Sequence, residues 1–161
     1  MVIVLMGVSG AGKSTVGARL AASLGWPFHD GDDLHSAAAR AKMRRGEPLT
    51  DADRAPWLLR LRTLVDGCVG RGESAVVACS ALRHAYRAAI SAGAAQVKFV
   101  YLRGSYETIA PRLARRRGHF MPPALLRSQF QTLEEPRDAI SVEIEAPPEA
   151  IAAEIRRRLR V

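Results

Sequence analysis

The sequence predicts an α/β fold: a parallel sheet with helices packed on both faces. Three observations lead there. The opening run Val2 to Met6 is apolar throughout and rich in β-branched residues, as a strand covered on both faces requires. Further strand-like runs follow, and each is separated from the next by a stretch with helical periodicity. That alternation is the pattern of a parallel sheet joined by crossover helices. No repeat, linker or low-complexity stretch divides the 161 residues, so a single domain spanning 1–161 is expected.

The elements follow in order. After the first strand comes a glycine-rich turn, then Val16, Leu20 and Leu24 at a spacing of four, one stripe of a helix that Gly25 and Pro27 stop. A second strand runs from Phe28 into the acidic cluster Asp30-Gly31-Asp32-Asp33. A polar, alanine-rich helix is expected from about Leu34 to Arg45, ended by Gly46, with Asp33 as its cap. Thr50 to Asp53 has the spacing of a capping box. The helix after it puts Trp57, Leu58, Leu61, Leu64, Val65 and Cys68 on one apolar face, with Pro56 tolerable near its start. Ser74–Cys79 and Val97–Leu102 read as two more buried strands, with a helix from about Arg83 to Ser91 between them. Another helix ends in the basic run Arg112 to Arg117, the segment Gly118 to Pro123 interrupts, and a helix from about Ala124 to Leu133 follows. Ile140 to Ile144 alternates as a fifth strand, and Ile151, Ile155 and Leu159 stripe a terminal helix.

Composition narrows the function. Apolar residues make up 48% and charged residues 25%, ordinary globular usage that excludes a disordered or collagen-like chain. No apolar run approaches the ~20 residues of a membrane-spanning helix. The opening run is too short for a signal-peptide core and lacks a basic leader, so a cytoplasmic location and no membrane partner are expected. The formal net charge is +8, with 21 of 24 basic residues arginine, a surplus that attracts polyanions from nucleotides to nucleic acids. Cys68 and Cys79 are the two cysteines; without a CxxC or Cys/His cluster they suit neither zinc nor a disulfide framework, and read as buried thiols.

Gly7-Val8-Ser9-Gly10-Ala11-Gly12-Lys13-Ser14 fits G-x-x-x-x-G-K-[ST], with a strand before it and a helix after it. Glycines let the backbone fold around a polyphosphate, so that N–H groups and the positive helix end meet the anion. Lys13 is placed to reach the β- and γ-phosphates and the Ser14 hydroxyl to ligate Mg²⁺. The nucleotide-binding candidates are therefore Gly7 to Ser14 together with Thr15. The chain contains no asparagine, so a guanine-reading N-K-x-D loop is impossible, and it is too small for the apparatus of oligomeric ATPases. A kinase acting on a small molecule or nucleotide remains.

In such a kinase the acceptor meets the γ-phosphate near the carboxyl ends of the strands, where Asp30 and Asp32 lie. One carboxylate can orient the metal and the other can take the proton of the attacking hydroxyl. The stretch from Arg112 to Phe120, broken by Gly118 and followed by two prolines, suits a helical lid at about 112–123 whose arginines meet charge developing in transfer.

With these residues on view, the chain resembles the gluconokinases, within the shikimate- and gluconate-kinase group of P-loop kinases. The likeness runs from Met6 to about Pro136. It rests on the phosphate loop, Asp30 to His35, Lys42-Met43, Gly46 to Trp57, Cys79 to Leu82, Tyr86-Arg87, Arg112-Leu113, His119 to Pro122, Ser128 to Phe130 and Leu133-Glu134. The resemblance implies a P-loop NTPase fold, three layers α/β/α around a five-stranded parallel sheet with a helical lid, like the nucleoside monophosphate kinases. It implies the reaction of ATP with D-gluconate to give 6-phospho-D-gluconate and ADP. It further implies Lys13, Asp32 and Arg116 in catalysis and Asp30 and Ser14 at Mg²⁺; apart from the resemblance, Arg112 and the loop around Pro147 are candidate walls for the adenine. Asp32, His35, Arg54, Arg83, His119 and Gln129 would face the sugar acid, whose carboxylate suits a guanidinium fork. The chain has Ser36 and Ala39 where the family usually has Pro and Asn, and Arg83 where a lysine is common. Family members are often dimers. A kinase of the same fold acting on another hydroxy acid such as shikimate is the near alternative. A nucleotide-regulated nucleic-acid-binding protein is the distant one, opposed by an aromatic content of 6% not interleaved with the arginines.

Overall fold

A computed structural model describes residues 1–115 and 125–161. Its strands are β1 (Val2–Met6), β2 (Phe28–Asp30), β3 (Ala75–Ala78), β4 (Val97–Arg103) and β5 (Ile140–Glu143). They form one sheet in the order β2-β3-β1-β4-β5, and each neighbouring pair is parallel. The helices are α1 (Lys13–Leu24), α2 (Ala37–Arg44), α3 (Asp51–Gly70), α4 (His84–Ser91), α5 (Tyr106–Arg115), α6 (Leu125–Thr132) and α7 (Pro148–Leu159).

The central strand explains the three layers. All five residues of β1 are inaccessible to solvent, and because successive side chains point to opposite faces they feed two cores. Ile3 and Leu5 enter one core with Val16 and Leu20 of α1 and Ile151 and Ile155 of α7. Val2, Val4 and Met6 enter the other with Trp57, Leu61, Val65 and Cys68 of α3 and Ile90 of α4. Both cysteines are buried and unpaired, as the sequence suggests. No helix of the described residues is long and apolar enough to cross a membrane.

Local chemistry sets where the site-bearing helices start. The capping box of α3 forms in both directions: Asp53 N–H donates to Thr50 Oγ1 at 3.2 Å, and Thr50 N–H donates to Asp53 Oδ2 at 2.8 Å. Lys42 Nζ, 2.6 Å from Asp53 Oδ2, ties α2 to that same start.

Three sequence expectations need correction. The helix expected from Leu34 begins at Ala37. Asp30 takes the Asp32 N–H on its own carboxylate, which bends Gly31–Leu34 into a single 3₁₀ turn, and helical register starts only after extended His35. Asp33 is therefore not its cap; Ser36 is, accepting from Ala39 N–H at 3.1 Å, while the Asp33 side chain is exposed. The C-terminal arginines also hold α7 in place. Arg156 donates to Ser23 O at 3.2 Å and Arg158 to Ser141 O at 2.6 Å, which fastens α7 to α1 and β5. Finally, β5 ends at Glu143, with buried Ile144 following it.

Candidate active site

The turn after β1 has the backbone that its glycines permit. Gly7, Gly10 and Gly12 have φ of 142°, 83° and 92°. At Gly7 a Cβ would also stand 2.8 Å from Leu102 O, so no side chain fits there. Gly12 precedes α1, and no side chain caps that helix start. Its first N–H groups and positive dipole end thus face the turn, the arrangement that binds phosphate. Val8 and Ala11 are buried and anchor the loop, and Lys13 Nζ folds back over it to donate to Val8 O at 3.0 Å. Ser9, Gly10, Gly12, Lys13, Ser14, Thr15 and Asp32 line a small cleft.

A larger open pocket adjoins it, lined among others by Ser9, Lys13, Asp32, His35, Leu49, Arg54, Trp57, Ser80, Arg83, Tyr86, Ser128, Gln129 and Thr132. Ser9, Lys13 and Asp32 line both. A donor seated on the loop and an acceptor in the larger pocket would therefore meet at Lys13 and Asp32.

The carboxylates sit at the end of β2. Ser14 Oγ donates to Asp30 Oδ2 at 2.5 Å, and Asp30 Oδ1 accepts from Asp32 N–H at 3.0 Å. The pairing of Ser14 and Asp30 sets two hard oxygen donors beside the phosphate loop, which suits a Mg²⁺ that keeps waters and shares its remaining positions with phosphates. Among the described residues no cluster of three or more His, Cys, Asp or Glu forms a self-contained metal cage.

On the far wall, Trp57 Nε1–H donates to Gly31 O at 2.7 Å, and its ring stacks on His35 with centroids 4.6 Å apart and planes 9° from parallel. Burial, then Arg40, Arg54 and Arg60, push the His35 imidazole down to about 4, so it is neutral at physiological pH. Its Nδ1 is buried without a hydrogen-bond partner among the described residues.

The rim is cationic. Arg54 donates to Leu49 O and lies 5.6 Å from the Tyr86 ring centroid; Arg83 lies 5.7 Å from the same centroid. Asp51 accepts from Tyr86 Oη at 2.6 Å and from Arg83 Nη1 at 3.2 Å, and these partners hold its carboxyl below the usual carboxylate range. Asp51 and Asp53 stand beside Arg54 on the same helix start, as candidate surface partners for its guanidinium. The structure gives Asp51 to Tyr86 and Arg83, and Asp53 to Lys42 and Thr50.

The structure brings Asp32, His35, Arg54, Arg83 and Gln129 to one pocket. Gln129 also reaches the phosphate loop, where its Oε1 accepts from Ser9 N–H at 2.6 Å. Arg112 lines neither pocket described here; it donates to Ile144 O at 3.1 Å, at the entry to the 145–147 loop. Arg116, His119 and the part of the expected lid beyond Arg115 lie outside the described residues.

A family model described as an AAA domain matches residues 2–136. A probable gluconokinase of Rattus norvegicus is 50% identical over 153 residues, which cover 84% of this chain and 83% of that protein. The chain belongs to the gluconokinase family. The gluconokinase of Gluconobacter oxydans (strain 621H) is 45% identical over 161 residues, covering 98% of this chain and 90% of that protein. The unliganded crystal structure of a sugar kinase from Janibacter sp. HTCC2649 superposes with a TM-score of 0.92 at 40% identity, covering 99% of this chain and 94% of that one.

In this gluconokinase-family chain, sequence reasoning missed Trp57, Tyr86 and Asp51 as parts of the site. Trp57 carried a signal: a buried indole needs an acceptor for its N–H, and an apolar helix stripe offers none. Tyr86 and Asp51 carried no comparable local signal, because they meet across 35 residues.

Proposed function

We propose that the chain transfers the γ-phosphoryl group of ATP to D-gluconate, giving 6-phospho-D-gluconate and ADP. The observation that carries this reading is the sharing of Ser9, Lys13 and Asp32 between the phosphate cradle and the larger pocket. A phosphoryl donor and a polyol acceptor need such a meeting point, and family membership supports gluconate as the acceptor. In this scheme the loop amides and Lys13 hold the β- and γ-phosphates, and the Asp32 carboxylate takes the proton of the attacking hydroxyl. Arg54 and Arg83 hold the C1 carboxylate, and neutral His35 and Gln129 offer hydrogen bonds to the polyol. Ser14 and Asp30 would hold Mg²⁺, which neutralises charge on the phosphates when bound. On the sequence alone, Arg116 is assigned to the equatorial oxygens of the transferred group and His119 to the acceptor. With ATP as donor and two buried, unpaired thiols, the setting proposed is the cytoplasm.

Phosphorus NMR of the product tests the reading. Incubation with ATP, Mg²⁺ and D-gluconate should yield a new phosphomonoester resonance coupled to the C6 protons of gluconate. No new phosphomonoester with gluconate, alongside one formed with shikimate, transfers the assignment to another hydroxy acid.

A further inference from the structure

We propose that Trp57 is a positioning residue for Asp32, acting through the peptide unit that joins Gly31 to Asp32. The proposal rests on the reading of Asp32 as the group that takes the acceptor's proton. The two ends of that peptide are both tied. Its N–H, on Asp32, donates to Asp30 Oδ1 at 3.0 Å, and its C=O, on Gly31, accepts from Trp57 Nε1 at 2.7 Å. A peptide plane held at both ends fixes the Asp32 N–Cα bond, and with it leaves the side chain's departure to the single rotation about that bond.

The surroundings leave this plane little freedom elsewhere. A Cβ at Gly31 would lie 2.6 Å from Ala78 O and 3.2 Å from Leu61 Cδ2, so the turn is pressed against the end of β3 and the flank of α3. Asp30, the other end of the turn, is held by Ser14 Oγ. Trp57 itself is 2% exposed, and a phenylalanine would fill apolar space there without a polar atom to satisfy. The indole N–H is thus a donor that packing does not require, and it is spent on the backbone between two site carboxylates. Trp57 follows Arg54 by three residues on α3, so one helix face brings both into the same pocket.

Trp57→Phe separates the N–H from the ring, since the phenyl can still stack on His35. In the full-length chain we expect kcat to fall roughly 10- to 100-fold, the cost of a misplaced reacting group, with the ATP KM within about twofold and the melting temperature near wild type. Combined with Asp32→Asn, Trp57→Phe should change single-turnover rate by less than about twofold, because a residue acting through Asp32 has nothing left to position. Wild-type kcat in Trp57→Phe overturns the proposal, and so does an equal fold-loss in both backgrounds. If Trp57→Phe does not fold, benzothienylalanine at position 57, with sulfur in place of the N–H, makes the same comparison at constant ring size. Wild-type turnover in Asp32→Asn alone removes the reading of Asp32 and the proposal with it, and that outcome is read with Trp57 intact.

Discussion

Arg54→Lys offers a sharp test of how the acceptor is held. Arg54 lies on the first turn of α3, with one nitrogen on Leu49 O and its guanidinium over Tyr86. Among the described residues no carboxylate pairs with it, because Asp51 and Asp53 are committed elsewhere. Its remaining N–H groups are therefore available to a substrate carboxylate. Lysine keeps the positive charge, so long-range attraction survives, but the planar fork and the second of two parallel bonds are lost. A hydrogen bond to a charged group contributes about 1.5–3 kcal/mol, and each 1.36 kcal/mol is tenfold, so the gluconate KM should rise roughly 10- to 150-fold. Arg54 lines the larger pocket and not the phosphate cradle, so the ATP KM should stay within about twofold. A coupled assay of ADP release, with each substrate varied in turn, measures both constants. A gluconate KM within twofold of wild type would refute the assignment and move the carboxylate to Arg83.

Lys13→Ala should reduce phosphoryl transfer below detection in the same assay while far-UV circular dichroism stays unchanged; near-wild-type turnover would contradict the cradle. Gly31→Ala should lower the urea midpoint, since the added methyl meets backbone at 2.6 Å and overpacking of this kind costs about 1–3 kcal/mol. An unchanged midpoint would mean that the turn is not packed as described. Stability should also depend on His35. Its folded pKa of about 4 lies below the ordinary 6.5, so between those values the unfolded chain binds a proton that the folded chain does not. Stability is therefore lost as pH falls through that window and levels off below about 4. Melting temperatures at pH 7 and pH 5 should fall less for His35→Gln than for wild type, and equal slopes would contradict a neutral buried imidazole.

Much of the architecture was legible because its determinants are local. The β-branched run of β1, the G-x-x-x-x-G-K-S loop and the Thr50–Asp53 box each state their geometry within a few residues. The acidic turn shows where local reading fails. Asp33 and Ser36 both carry capping chemistry, and what chooses Ser36 is the bond between Asp30 and the Asp32 N–H, which delays helical register until after His35. The site is harder still, since its contacts join distant elements. Gln129 reaches Ser9 across 120 residues, and Trp57 reaches Gly31 across 26. Asp51 reads locally as first-turn acid on α3, favoured by the helix dipole, yet α4 brings Tyr86 and Arg83 to it. The sheet order sets these meetings, and no spacing in the chain encodes them directly.

The most direct test of the central claim, that donor and acceptor meet across Lys13 and Asp32, is the rate of ADP release from ATP and Mg²⁺ with and without D-gluconate. The account predicts little release alone and a steep, saturable rise as gluconate is added, lost in Asp32→Asn. Release at the same rate whether or not gluconate is present would contradict it.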